Sequence, residues 1–478
     1  MVDSYFSDRR LETGSYSILN YNTYKFDDDH ILITTDTGSW VVLSKREYDL
    51  LRSMNVDDDK NLYSILEEKG IIITKNNYQK IISMTKTRLF HLFNGITLHV
   101  VVPTLRCNLK CVYCQAKSKP FNRIEYDMNE ETAKRVVDFI FQSPSKFYTI
   151  EFQGGEPTAN FDIIKFIVEY TKEKNGSPYP KNGWFFGEKA ITFRIVTNLT
   201  LMDDEKFEFI KENQIEITTS LDGPKELHNR NRPNESYDKV VRWIKKMRNY
   251  KFFSGAIATI TRESLKYPKE IVDEYVSLGM NKIKLRHLNV TGMAADRWEK
   301  IGYAWKEYIE FWKKYINYLF ELNKDKTIVD VDTSLIAKRI LFLKPPLNTC
   351  IGAPCGAGIT QVAYDQNGNI FICDEARGNE TFKIGNVMQS YKDVFTSQDV
   401  LQFIGNSSMV TTLADASPWH PYVSPCMVST YGQTGTLVPK LSTDFVWNIR
   451  SSQTKFIFEK IIFDKEKRNI LTKWVGYI

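Results

Sequence analysis

The sequence lacks any apolar run approaching the roughly 20 residues that a membrane span needs. Its opening stretch, MVDSYFSDRRLE, is polar and without the apolar core of a secretory signal. These absences argue against a membrane-embedded chain and lead us to expect a cytoplasmic one. Charge of one sign is also scarce: 64 basic and 58 acidic residues leave +6 over 478 positions. So small an excess argues against nucleic acid or a membrane surface as partner. Cysteine is sparse, at seven residues, and an odd number fits disulfide pairing poorly. In a reducing compartment, grouped thiols more often serve metals or chemistry. Internal repeats beyond a strand–helix alternation, and low-complexity tracts, are missing as well.

What is there is ordinary for a globular protein, 42% hydrophobic and 26% charged, with length enough for two or three domains. Residues 1–95 read as a small unit. Two β-rich runs within 30–43 flank Asp-Thr-Gly, a hairpin signal. Ser44 then caps a helix, KREYDLLRSM, a second helix spans 57–70, and 71–74 reads as a closing strand. From residue 96 strands alternate with helices. Strands are predicted at 97–102, 148–152, 190–197, 215–220, 255–260 and 282–287, and helices at 130–142, 161–173, 203–212, 237–250 and 266–278. Six such repeats predict an α/β fold, a parallel sheet with helical crossovers closing into a partial or full β/α barrel over 96–325. An amphipathic helix is predicted at 305–322. Residues 326–478 read as loop-rich, with Pro, Gly, Ser and Cys punctuating 345–440 as in a metal-organised segment, and a charged helix at 456–471.

The most specific signal follows the first predicted strand: PTLRCNLKCVYCQA, or Cys107-x3-Cys111-x2-Cys114. At the C-terminal end of a barrel strand, a loop sits on the face that carries chemistry. Three thiolates on one loop can hold three irons of a [4Fe–4S] cube and leave the fourth open. Zinc sites more often pair two C-x2-C knuckles into four ligands, and no second knuckle lies nearby.

This motif, with Tyr113 in its aromatic slot, resembles the radical S-adenosylmethionine (radical SAM) superfamily. The resemblance implies that the open iron binds S-adenosylmethionine and that its reductive cleavage yields a 5′-deoxyadenosyl radical. Four further positions resemble the family's cofactor contacts. FQGGEP supplies Gly154, Gly155 and Glu156 after the second strand, the glycines for close backbone approach and Glu156 as acceptor for the cofactor ammonium. VTN and SLDG supply Asn198, Ser220 and Asp222, although Asp also commonly caps turns. Arg286 ends the sixth strand, suited either to the cofactor carboxylate or to a structural ion pair.

The remaining cysteines are Cys350, Cys355, Cys373 and Cys426. The run C-x12-G-x4-C, from Cys355 through Gly368 to Cys373, resembles the opening of the SPASM extension, which carries auxiliary clusters. That extension continues as C-x2-C-x5-C-x3-C and a final cysteine. Counting back from Cys426, the other quartet positions fall on Ala414, Ser417 and Val423; the last gap is two residues rather than three, and no cysteine follows Cys426. The resemblance thus implies that the outer cluster has lost its ligands and that an inner [4Fe–4S] cluster keeps Cys350, Cys355, Cys373 and Cys426. Buried free thiols are the alternative. Asp374, beside Cys373, matches an aspartate that acts as general base in some relatives; otherwise it bonds nearby amides.

Together with SLDGPKELHN and CGAGITQVAYDQNGNIFICDEAR, these motifs are similar to the radical SAM maturases of the His-Xaa-Ser system (HxsB type), most closely over about 96–385. The resemblance implies a ribosomally made precursor peptide as substrate, modified through hydrogen abstraction, and an electron donor such as flavodoxin or ferredoxin. It also implies that residues 1–95 are a winged-helix-like peptide-recognition unit, or else a cap. Two other readings stand beside it: a radical SAM enzyme on a small molecule or protein residue, and a non-catalytic scaffold descended from an enzyme.

Overall fold

The computed structural model describes residues 16–90, 94–343, 350–352, 355–414, 417–420 and 422–477. After a short strand at Ser17–Ile18 comes an antiparallel three-stranded sheet, β1 (Tyr21–Asp27), β2 (His30–Thr35) and β3 (Trp40–Leu43). The Asp-Thr-Gly turn joins β2 to β3, with Gly38 at φ +86°. Helix α1 (Lys45–Arg52) starts at a reciprocal cap between Ser44 and Glu47. Helix α2 (Lys60–Lys69) starts at Asp59 and stops at the left-handed Gly70. A further helix, α3 (Tyr78–Leu89), was not expected. This unit has its own core of Ile31, Ile33, Val41, Leu51, Leu62 and Leu66. It is tied to the end of the chain: Trp40 Nε1 donates to Ile340 O at 2.8 Å, and Tyr422 OH donates to Gly38 O at 2.9 Å.

Six strands then run parallel, each beside the next: β4 (Leu98–Thr104), β5 (Phe147–Gly154), β6 (Ala190–Thr197), β7 (Glu216–Ser220), β8 (Phe253–Ile260) and β9 (Lys282–His287). Between them lie helices α4 (Glu130–Phe141), α5 (Phe161–Asn175), α6 (Asp204–Glu212), α7 (Ser236–Met247) and α8 (Pro268–Ser277). Every predicted strand and helix of this region is present with small shifts at its ends. In β6 the buried Ile191, Phe193 and Ile195 alternate with partly exposed neighbours, so one face meets the helices and the other lines the hollow of the sheet. The short β10 (Val329–Asp330) extends the sheet beyond β9. No pairing among the described residues joins that edge back to β4, so the sheet is open.

The last third is more regular than its sequence suggests. After α9 (Trp305–Leu322) and α10 (Val331–Phe342), β11 (Gln361–Tyr364) pairs in parallel with the outer edge of β4, and β12 (Asn369–Phe371) and β13 (Lys383–Asn386) follow antiparallel. Helices α11 (Gln398–Ala414), α12 (Met427–Thr434), α13 (Phe445–Phe463) and α14 (Lys465–Val475) complete the chain. The expected loop-rich character is therefore corrected: the Ser-Ser and Thr-Thr pairs of α11 depress helix propensity without preventing a helix. The charged helix expected at 456–471 is two helices, divided at Asp464, whose carboxylate accepts from Lys467 N and starts the second.

Candidate functional site

Cys107, Cys111 and Cys114 lie on the loop that leaves the C-terminal end of β4, and the ends of β5, β7 and β9 brace that loop. From β5, Gly155 N donates to Thr104 O at 2.9 Å and Glu156 N to Arg106 O at 2.7 Å. A Cβ on Gly154 would lie 2.3 Å from Thr104 O, and one on Gly155 2.1 Å from Arg106 O. The glycine pair is thus required by the approach of the cysteine loop itself. From the segment after β7, Asn231 O accepts from Val112 N at 3.0 Å. From the segment after β9, Met293 N donates to Cys114 O at 2.8 Å, and Gly292 leaves no room for a Cβ beside Gln115 O, 2.4 Å away.

Glu156 is buried and turned into the protein. Its Oε1 accepts from Thr158 N (3.1 Å), Thr158 Oγ1 (2.5 Å) and Thr197 Oγ1 (2.6 Å), and its Oε2 from Asn198 N (2.8 Å). Burial raises its carboxyl against these donors, which lower it. Three of these bonds fall on Oε1 and one on Oε2, and a carboxylate offers about four acceptor positions. In this structure Glu156 clamps the end of β5 to the end of β6. Asn198, positioned by that clamp, points its Nδ2 at Cys107 Sγ (3.9 Å) and Asn108 Oδ1 (3.1 Å).

Tyr113 and Asp222 form one unit. The buried Tyr113 hydroxyl donates to Asp222 Oδ2 at 2.6 Å; Asp222 Oδ1 accepts from Thr259 N at 3.2 Å, and Arg232 Nε lies 3.4 Å from Oδ2 with its guanidinium over the Tyr113 ring. Asp222 is therefore an interior carboxylate held by three elements rather than a turn cap. Ser220 is half-buried at the end of β7. Arg286 Nη2 donates to Gln115 Oε1 at 2.9 Å and pairs with Glu375, whose Oε2 accepts from Asn289 Nδ2 at 2.6 Å. Of the two roles the sequence left open for Arg286, the structure displays the ion pair. Asp374, next to Glu375, pairs with Arg377 at 2.9 Å, and its carbonyl accepts weakly from Gln115 Nε2 at 3.5 Å. The two cysteine regions thereby meet through Gln115, Arg286, Asp374 and Glu375. Sequence reading missed Arg232, Glu375 and Arg377, since nothing local marks which charge a buried carboxylate will meet.

The second cysteine group is also gathered. Cys373 is buried and feels the charges of Cys355, Cys426 and Cys350 together. Ala414, Ser417 and Val423 carry no thiol, and Val423 is core. Two arginines stitch the segments around these cysteines. Arg339 Nη1 donates to Ile351 O at 3.2 Å and also reaches Tyr422 O; Arg450 Nη1 donates to Ser424 O at 2.7 Å.

Both groups place thiols in surroundings from which water is largely excluded. Burial pushes the Cys107 thiol well up, the Cys111 thiol up to about 11 and the Cys426 thiol up to about 12; Arg232 opposes the shift at Cys111 and Arg450 at Cys426. Buried thiols of this kind become ligands when iron replaces their protons. Among the described residues no three His, Cys, Asp or Glu side chains converge on a single-ion site, and a cube spreads its thiolates over separate irons instead. No described helix is long and apolar enough to cross a membrane.

Residues 101–275 match the family model of the radical SAM superfamily. A cysteine-type anaerobic sulfatase-maturating enzyme of Clostridium perfringens is 24% identical over 329 residues, 66% of this chain and 83% of that one. An uncharacterized protein of Methanocaldococcus jannaschii is 29% identical over 194 residues, and the match spans 40% of this chain and 62% of that protein. Among solved structures, anSMEcpe with bound AdoMet superposes with a TM-score of 0.65 at 20% identity, covering 80% of this chain and 98% of that one. SuiB of Streptococcus suis bound to its precursor peptide SuiA superposes with a TM-score of 0.52 at 16% identity, covering 89% and 98%. At these identities the structural likenesses establish a shared fold.

Proposed function

We propose that the chain is a radical SAM maturase that modifies a ribosomally made peptide, resembling the His-Xaa-Ser system type and acting in the cytoplasm. The observation that carries this reading is the three-thiol loop at the end of β4, held from β5, β7 and β9. A [4Fe–4S] cluster there, with one open iron and S-adenosylmethionine, would supply a 5′-deoxyadenosyl radical. The residues of the chain position the ligands. Glu156 fixes Asn198 beside Cys107. The Tyr113–Asp222–Arg232 unit fixes the loop between Cys111 and Cys114. Gly154, Gly155, Ser220 and Arg286 border the same end of the sheet.

Cys350, Cys355, Cys373 and Cys426 would hold one auxiliary [4Fe–4S] cluster, with the outer one lost. Asp374, set beside Cys373, would take a proton from the substrate as it is oxidised. The partners are a precursor peptide, with residues 1–95 as its recognition unit, and a flavodoxin or ferredoxin as electron donor. Support for a peptide comes from SuiB, solved with its precursor peptide, on the same fold. A second reading, action on a protein side chain, is favoured by the sulfatase-maturating relative, of which this chain covers 83%.

The test is anaerobic reconstitution followed by product analysis. The proposal expects 5′-deoxyadenosine to form from S-adenosylmethionine under reduction, and a mass change in a co-expressed precursor peptide that is lost with Cys107→Ala. Formation of 5′-deoxyadenosine with no modified peptide, but with a modified sulfatase-type protein, would favour the second reading. No 5′-deoxyadenosine in a fully iron-loaded sample would overturn both.

A further inference from the structure

Arg339, on α10, and Arg450, on α13, are both buried, at 5% and 7% exposure. Neither forms an ion pair with a carboxylate among the described residues. Arg339 Nη1 serves the carbonyls of Ile351 and Tyr422, while its Nε and Nη2 are buried with no hydrogen-bond partner. Asp332 acts on Arg339 and Asp444 on Arg450 only through space, short of ion-pair contact, and Asp444 also accepts from Trp447 N and Thr430 Oγ1. A guanidinium stranded in this way is costly unless a charge of opposite sign lies close. The segments that these arginines hold lead to Cys350 on one side and Cys426 on the other. Arg450 also lies close enough to act electrostatically on Cys355 and Cys426.

An iron–sulfur cube bound by four thiolates is an anion, and reduction makes it more negative. Resting on the four-cysteine reading of the previous section, we infer that Arg339 and Arg450 are the electrostatic counterpart of the auxiliary cluster: their charge favours its reduced state and so sets its potential. They are positioning residues and touch no reacting atom. The same charge explains why two arginines occupy a core position where Leu or Met would pack at lower cost. It also gives the chain a means of keeping one auxiliary cluster reducible after the outer thiols were lost.

The test uses the full chain with Cys107, Cys111 and Cys114 replaced by Ala, so that only the second group can bind iron. Iron is counted after anaerobic reconstitution, and the midpoint potential is read by spectroscopic redox titration. Four arms are compared: this parent, Arg339→Gln, Arg339→Lys and Arg450→Gln. The expected result is about four irons in the parent. Both Gln variants should show a lower midpoint, by at least a tenfold change in the reduced-to-oxidised ratio, about 59 mV for one electron. Arg339→Lys should stay near the parent. Loss of iron in Arg339→Gln but not in Arg339→Lys would equally support the charge role. A Gln variant with full iron and an unshifted potential overturns the inference, as does loss of iron in both Arg339 variants, which would make the carbonyl bonds the whole role. A parent that binds no iron overturns the auxiliary-cluster reading itself.

Discussion

The Tyr113 hydroxyl donates to Asp222 Oδ2 at 2.6 Å, joining the aromatic residue between the last two loop cysteines to the end of β7. Asp222 is fully buried and also faces Arg232, so this bond belongs to a charged network rather than a surface turn. Tyr113→Phe removes one donor from a buried carboxylate, at a cost of about 2 kcal/mol. We expect iron to load normally but to be stripped faster by a chelator, with a lower unfolding midpoint. An unchanged chelation rate would remove Tyr113 from the bracing of the loop.

Gly155→Ala tests whether the glycine pair serves the loop. Its Cβ would meet Arg106 O at 2.1 Å and Leu105 O at 2.5 Å, both backbone atoms of the cysteine loop. We expect reconstituted iron to fall from about eight to about four per chain, with the second group unaffected. Gly405→Ala, with open space around its Cβ, is the control and should keep the full complement.

Asp374 is set between Cys373 and the Arg286–Glu375 pair, with Arg377 at 2.9 Å. If it takes the substrate proton, Asp374→Asn should still cleave S-adenosylmethionine while modified peptide falls at least a hundredfold. Loss of both together would mean that the residue holds the site instead.

Asp330 provides a pH test on a carboxylate. Burial, with Asp332 adding to it, pushes its carboxyl up to about 6 from an ordinary value of 3.8. Because the folded value is the higher one, the folded state favours the protonated form. Its contribution is full below about pH 4 and lost as pH rises through 6. Between pH 4.5 and 8 the protein should lose about 2 kcal/mol through this group. Asp330→Asn keeps an oxygen for Thr333 N, which now donates to Asp330 Oδ1 at 2.8 Å, and should flatten that dependence in urea unfolding.

Much of this was legible from residues alone, for identifiable reasons. The strand runs of β4 to β9 are apolar or cleanly alternating, and α9 has an apolar stripe sustained over five turns, so periodicity located them. The cysteine loop was legible because three thiols in eight positions have few structural uses. The partners of the site were not. Glu156 reads as a ligand acceptor in sequence, and only the fold shows Thr158, Thr197 and Asn198 closing on it. Arg232 and Glu375 are ordinary surface letters until tertiary packing buries them. Strand β11 was missed because QVAY is four residues long, and its pairing with β4 spans some 260 positions of sequence. The second helix near the end was hidden because Asp464, a cap, looks like one more charge in a charged run.

The parallel pairing of β11 with β4 also bears on how the chain can be divided. Strand β4, LHVVVPT, is buried almost throughout, and β11 covers its outer edge. A fragment ending after β10 would keep every strand–helix repeat yet leave the backbone donors and acceptors of an apolar strand facing water. Such an edge templates pairing with other copies. The parallel-sheet half should therefore aggregate when expressed alone, and during synthesis β4 stays without that cover until more than 250 further residues have left the ribosome.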